Sequence, residues 1–330
     1  MDWAKLQKKF DKKNVLQIML DYPSQIRQGI EIGKKFSCPA GEFSDIVFCG
    51  MGGSGMAGLI VKQAVFNEIQ VPVEVIEDYS LPAYVDEKTL VIAVSFSGNT
   101  EETVACFEEA KRKNAGLIVV ASSGLLAEEA DAKIIVPSLP QPRLGAIVMA
   151  VPVFFALEKL GFIREKEKEL SDCFGFLEDS KNSMNAEAKK IALKLKGKFP
   201  VIQAPADFGV LSCRMRLELN ENSKVLALSN VLPEMNHNEI NSEILPKNSF
   251  FVFFRDNGEN AQMKKRFAFT QKVFKKFPRE EILLKGKNKI EKLFYGILIS
   301  ALVSYYLALL NGKDPNEIPI IGELKKELKK

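Results

Sequence analysis

Two short segments rich in glycine and hydroxyl residues hold the side chains best suited to chemistry. The first, Gly50-Met51-Gly52-Gly53-Ser54-Gly55, follows the apolar run Ile46-Val47-Phe48-Cys49 and leads into a helical pattern over 56–66. Unpaired backbone N–H groups at such a strand-to-helix junction, backed by the helix dipole, favour an anion, with Gly53 and Ser54 lining it. The same letters fit Gly-x-Gly-x-x-Gly. Because Glu77 and Asp78 end the next strand, a dinucleotide site competes, and the first segment alone does not choose. The second segment, Ser95-Phe96-Ser97-Gly98-Asn99-Thr100, follows Leu90-Val91-Ile92-Ala93-Val94 and opens a helix at Glu101-Glu102-Thr103. Here the hydroxyls of Ser95, Ser97 and Thr100 converge with main-chain N–H groups, a set that suits the oxygens of a phosphate monoester without any lysine. A helix N-cap with Ser/Thr turns accounts for one such loop; two at neighbouring strand ends are harder to dismiss.

These loops need a scaffold of strands and helices to hold them. Residues 2–36 read as short amphipathic helices with a break at Asp21-Tyr22-Pro23-Ser24 and Ser24 as the next N-cap. Strands are predicted at 46–49, 71–76, 89–94, 116–121 and 133–136, with a helix over 100–113. They alternate with helices and lack polar alternation, which implies a parallel sheet covered on both faces. A long apolar helix is predicted over 143–161, followed by an exposed charged connection at 164–169. A second set follows: strands at 200–204, 224–228, 250–254 and 281–284, and helices at 208–222 and 262–277. The expected fold is therefore α/β in two lobes, 1–162 and 163–330, each a parallel sheet flanked by helices in three layers.

Further segments, in order, are Pro142-Arg143 at the head of a helix, Asn220-Glu221-Asn222 at the end of another, Leu232-Pro233-Glu234-Met235-Asn236-His237-Asn238-Glu239, and Leu324-Lys325. With the two loops, they make the chain resemble the sugar isomerase (SIS) domain family, and within it the bifunctional phosphoglucose/phosphomannose isomerase branch. The resemblance spans most of the chain, and the Asn-Glu-Asn and Asn-His-Asn-Glu segments are its specific part. It implies two SIS-type lobes and an aldose–ketose isomerase for glucose 6-phosphate and fructose 6-phosphate. By the resemblance, Glu221 is the base that moves a proton between C2 and C1 through a cis-enediolate. His237 takes part in ring opening, reaching in from the neighbouring subunit of a homodimer. Lys325, with Lys326 as the close second choice, is the lysine of ring opening, and Arg143 faces the developing enediolate charge. Each has a plain alternative: a solvated or capping glutamate, a loop histidine, a turn-stabilising arginine, one charge in a basic tail. One departure concerns the C2 epimer: no threonine follows Thr270, and Ile318 lies near where the resemblance expects one, so mannose 6-phosphate turnover is the less secure expectation.

The remaining composition excludes several classes. One histidine and five scattered cysteines (Cys38, Cys49, Cys106, Cys173, Cys213) without a Cys-x-x-Cys pair make neither a metal-ligand set nor a disulfide framework, so no metal or other cofactor is expected. The charged N-terminus lacks a signal-peptide core, and a reducing cytoplasm fits. A net charge of +4 is too slight to imply nucleic acid. The basic segment from Lys264 to Arg279 reads as a core face, Met263, Phe267, Thr270 and Phe274, beneath a charged surface. Leu293 to Leu310 is uncharged over 18 residues, the lower limit for a membrane span. Its small residues Gly296, Ser300, Ser304 and Ala308 recur every four positions and favour a closely packed core or interface helix instead. The alternatives are a non-catalytic SIS regulator that binds sugar phosphate and a nicotinamide-dependent dehydrogenase.

Overall fold

The computed structural model describes residues 1–328. The chain forms two compact units: residues 21–178 with 286–294, and residues 1–20 with 179–285 and 295–328. Three helices precede the first strand: α1 (Trp3–Phe10), α2 (Val15–Leu20) and α3 (Tyr22–Lys35). Asp21 rather than Ser24 is the N-cap of α3, and Pro23 sits in its first turn, where a missing N–H costs nothing.

The first sheet carries β1 (Asp45–Cys49), β2 (Val73–Ile76), β3 (Thr89–Val94), β4 (Gly116–Ala121) and β5 (Lys133–Ile135), all parallel in the order β2-β1-β3-β4-β5. Helix α4 (Gly52–Val65) follows β1, α5 (Glu101–Arg112) follows β3, and α6 (Gly124–Glu129) follows β4. Every residue of β3 is buried, as an unbroken apolar run in a sheet covered on both faces requires. The strand order reverses between β1 and β3, so the loops after these two strands flank the topological switch point, where open α/β sheets place their ligands. A short 3₁₀ turn, Pro142–Gly145, leads into the buried helix α7 (Ala146–Lys159), against which α3 packs closely at Gly29 and Gly33.

The segment expected to be an exposed connection at 164–169 is anchored instead, and helix α8 (Glu167–Leu195) begins inside it. Lys166 Nζ lies 2.6 Å from Glu68 Oε2 and 3.3 Å from Glu169 Oε1, with 6% of its side chain exposed. Burial pushes the Glu68 carboxyl up, but hydrogen bonds from the Lys166 ammonium and the Arg164 N–H together outweigh it and hold the group below the usual range. A carboxyl depressed in this way contributes stability above its unfolded pKa and loses it as the pH falls through the folded value. Lys166→Met is therefore expected to cost about 2 kcal/mol at neutral pH. Urea titrations should show that deficit shrinking in acid.

The second sheet carries β6 (Phe199–Pro205), β7 (Leu228–Leu232), β8 (Ser249–Arg255) and β9 (Arg279–Leu283), parallel in the order β7-β6-β8-β9. Its strand β7 starts at Leu228, where the sequence reading placed a strand over 224–228, because the preceding helix α9 (Gly209–Glu218) runs on through a π-helical turn, Leu219–Ser223. Helix α10 (Ala261–Val273) turns Phe267 and Thr270 fully inward and leaves Lys264 and Lys265 outside. Phe251 stacks on Phe274 at 4.7 Å beneath it. Helix α11 (Lys289–Leu310) has its whole apolar window buried. Its small face is used for packing: a Cβ on Gly296 would lie 2.4 Å from Leu211 of α9. The last helix is α12 (Pro319–Glu327).

Candidate active site

The loops after β1 and β3 are built against each other. The Phe96 N–H donates to Ser54 Oγ at 3.0 Å, tying the second loop to the first. Ser95 Oγ donates to Thr100 Oγ1 at 2.9 Å, and the Thr100 N–H approaches Ser95 Oγ at 3.4 Å. Ser54 and Ser95 are buried, Thr100 is half-buried and Ser97 is exposed. Neither α4 nor α5 has a side-chain cap bond, so the two helix N-termini beside the switch point lack the usual side-chain acceptor. The structure thus brings Gly53, Ser54, Ser95, Ser97 and Thr100 to one end of one sheet.

Arg143 joins them. A Cβ on Gly53 would fall 2.6 Å from Arg143 N and 2.8 Å from its Cα, so only glycine lets the first loop lie on the Pro142–Arg143 backbone. Arg143 is 3% exposed. Its turn is fixed from behind by buried Gln25, whose Nε2 donates to Leu144 O at 2.8 Å and whose Oε1 accepts from the Val148 N–H at 3.4 Å. The backbone from which the Arg143 side chain extends is thus set by the fold.

A third segment, Ser122-Ser123-Gly124, supports the second loop and was not singled out in the sequence. Ser122 Oγ donates to Phe96 O at 2.7 Å, and Asn99 Oδ1 accepts from the Leu125 N–H at 3.0 Å. Gly98, at φ +67, lies so close that an added Cβ would sit 1.8 Å from Ser123 O. The signal was present, since Ser-Ser-Gly, running from the end of β4 into the first residue of α6, repeats the pattern of strand, hydroxyl and glycine residues, then helix.

In the other compact unit, Glu221 sits in the π-helical turn, half-buried, between buried Leu219 and buried Asn222. His237 closes a 3₁₀ turn, Glu234–His237, that follows β7 through a cis Leu232–Pro233 bond, and it is exposed. These two residues stand at opposite ends of β7. β6 and β7 are parallel, so the crossover helix α9 runs back along them and delivers Glu221 before β7 begins, while His237 comes after it ends. Five residues of strand span about 13 Å at 3.3 Å per residue. Lys325 and Lys326 lie on α12, which is exposed along its length. The segment leading to α12 is fastened to the Glu221 turn by Lys224 Nζ, which donates to Asp314 O at 2.9 Å. Ile318 holds the N-cap of α12 without a side-chain cap bond.

Two parallel sheets of this kind, one with an uncapped hydroxyl-lined cradle at its switch point, define the SIS class of α/β proteins. The SIS domain family model matches residues 43–163, and the model described as the bacterial phospho-glucose isomerase C-terminal SIS domain matches residues 184–328. A bifunctional phosphoglucose/phosphomannose isomerase of Thermoplasma volcanium is 35% identical over 312 residues, covering 92% of this chain and 97% of that protein. Another, from Caldicellulosiruptor bescii, is 33% identical over 334 residues, covering 95% and 98%. The crystal structure of glucosamine-6-phosphate deaminase from Thermotoga maritima superposes with a TM-score of 0.70 over 92% of this chain and 97% of that one; at 16% identity it speaks for the fold alone. The chain belongs to the bifunctional phosphoglucose/phosphomannose isomerase family.

Proposed function

We propose that this chain is an aldose–ketose isomerase that interconverts glucose 6-phosphate and fructose 6-phosphate by proton transfer, without a metal. Supporting this most is the cradle at the switch point, where two uncapped helix N-termini and four hydroxyls surround a place fit for a phosphate monoester. Ser54 accepts a hydrogen bond from Phe96, which leaves its O–H proton for a phosphate oxygen; Thr100, accepting from Ser95, likewise keeps its own. Ser97 and the Gly53 backbone complete the grip.

On the open-chain sugar, Glu221 takes the proton from C2. The C2–H electrons form the C1=C2 bond, and negative charge gathers on the carbonyl oxygen, which Arg143 counters. The O2 hydroxyl proton passes to O1, and return of the carbon-bound proton to C1, as the O2 electrons form the C2=O bond, yields the ketose. His237 and Lys325 serve ring opening. Mannose 6-phosphate, the C2 epimer, is the slower aldose, in keeping with the absence of a threonine after Thr270 and with Ile318 near where one is expected. The five free thiols suit a cytoplasmic enzyme.

The placement of Glu221 and His237 at opposite ends of β7 favours a homodimer in which each site takes Glu221 from one copy and His237 from the other. Glu221→Gln and His237→Asn homodimers should each be inactive. Mixed and reannealed in equal amounts, they should recover about one quarter of wild-type activity, because half the dimers are mixed and each has one intact site. Failure to recover activity after verified subunit exchange argues for sites within one copy. Formation of fructose 6-phosphate from each aldose, with EDTA present, tests the reaction itself. A regulator would bind sugar phosphate without converting it, and a dehydrogenase would need a nicotinamide.

A further inference from the structure

The turn that carries Glu221 is fixed from two sides within its own unit. From the interior, the fully buried Glu218 carboxylate pairs with Arg214 and accepts from Asn222 Nδ2. The same amide donates to Ser304 Oγ at 2.9 Å, and Ser223 Oγ donates to Ser304 O at 2.7 Å. From the outside, the Lys224 ammonium donates to three carbonyls: Glu221 O at 2.8 Å, Asn222 O at 3.1 Å and Asp314 O at 2.9 Å. An ammonium has three donors, and here all three are spent on the turn and its neighbour.

The backbone at Lys224 is equally unusual. It leaves the π-turn at φ +57 and ψ +40. Among the described residues, the other non-glycine positions with positive φ are Asn14 and Asn114, a residue type that tolerates the left-handed region as lysine does not. Lys224 is exposed, yet it keeps both this conformation and these partners, which a lysine serving only solvation does not need. π-turns re-aim the side chains they carry and recur at functional sites.

We propose that Lys224 is a positioning residue for Glu221: by closing the π-turn against the segment at Asp314, it sets the direction in which the Glu221 carboxylate leaves the backbone. The inference rests on the reading of Glu221 as the base. Lys224→Gly keeps the left-handed backbone, which glycine adopts freely, and removes the ammonium together with its aliphatic stem. Its kcat should fall about 10- to 100-fold, because a base displaced by about an ångström loses that much. KM for fructose 6-phosphate should stay within about twofold, since the phosphate cradle lies on other elements, and thermal stability should be unchanged. Lys224→Arg, which restores donors to the same carbonyls, should recover at least half of the lost rate on a logarithmic scale.

Wild-type kcat in Lys224→Gly, a change confined to KM, a rate loss matched by a fall in thermal stability, or no recovery by Lys224→Arg would each overturn the assignment. Glu221→Gln, measured alongside, separates the two readings. If it is inactive while Lys224→Gly is not impaired, only the positioning role fails. If Glu221→Gln turns over normally, or the wild-type protein forms no ketose, the base assignment fails and takes the positioning role with it.

Discussion

Glu221→Gln is expected to bind fructose 6-phosphate as the wild-type protein does and to turn it over about 10³-fold more slowly, within the span of roughly 10² to 10⁴ that a positioned general base supplies. Binding should survive because the proposed phosphate site lies on the loops after β1 and β3, which the substitution does not touch. Turnover should not, because the amide has the shape of the carboxylate but cannot accept the C2 proton. Loss of both binding and turnover would mean instead that Glu221 serves the fold. The surroundings argue against that: the buried charge in this region is Glu218, already paired with Arg214, whereas Glu221 is half-buried one turn later. Calorimetric titration with fructose 6-phosphate beside a steady-state assay distinguishes the two outcomes.

Gly98→Ala has the largest expected effect on the cradle. At φ +67 an alanine is strained by about 1–2 kcal/mol before any contact is considered. Its methyl would also stand 1.8 Å from Ser123 O, a main-chain atom that cannot swing away, so the loop must rebuild. A total stability loss of about 3–5 kcal/mol is expected, with sugar-phosphate affinity reduced at least about 100-fold. Gly175 provides the control. It lies within α8 with nothing inside 4 Å of an added Cβ, so Gly175→Ala should raise stability by about 0.5–1 kcal/mol and leave binding alone. Thermal melts with and without fructose 6-phosphate read both. Similar melts for the two variants would refute the packing read from the second and third loops.

Much of this was legible in the sequence because the physics is local. An uninterrupted run such as Leu90-Val91-Ile92-Ala93-Val94 has only a buried parallel strand to join. Glycine and hydroxyl residues directly after it mark a helix start with unsatisfied N–H groups. The spacing of Met263, Phe267, Thr270 and Phe274 likewise gave the inner face of α10. What escaped depends on partners distant in sequence. Lys166 reads as one more charge in an exposed linker until Glu68, 98 positions earlier, arrives to pair with it. The π-turn has no sequence signature: Leu219-Asn220-Glu221-Asn222-Ser223 continues the helical pattern, and partners as distant in sequence as Ser304 and Asp314 help to hold it. The separation of Glu221 from His237 follows from strand direction, which composition does not reveal.

Following the label of [2-²H]glucose 6-phosphate into fructose 6-phosphate, with EDTA present throughout, examines the proposed chemistry at the atom that moves. A single carboxylate working through an enediolate predicts that deuterium is divided between C1 of the ketose and solvent water, at a rate the chelator does not change. Complete transfer to C1 with no exchange, abolished by EDTA, would instead indicate a metal-assisted hydride shift and contradict the role given to Glu221.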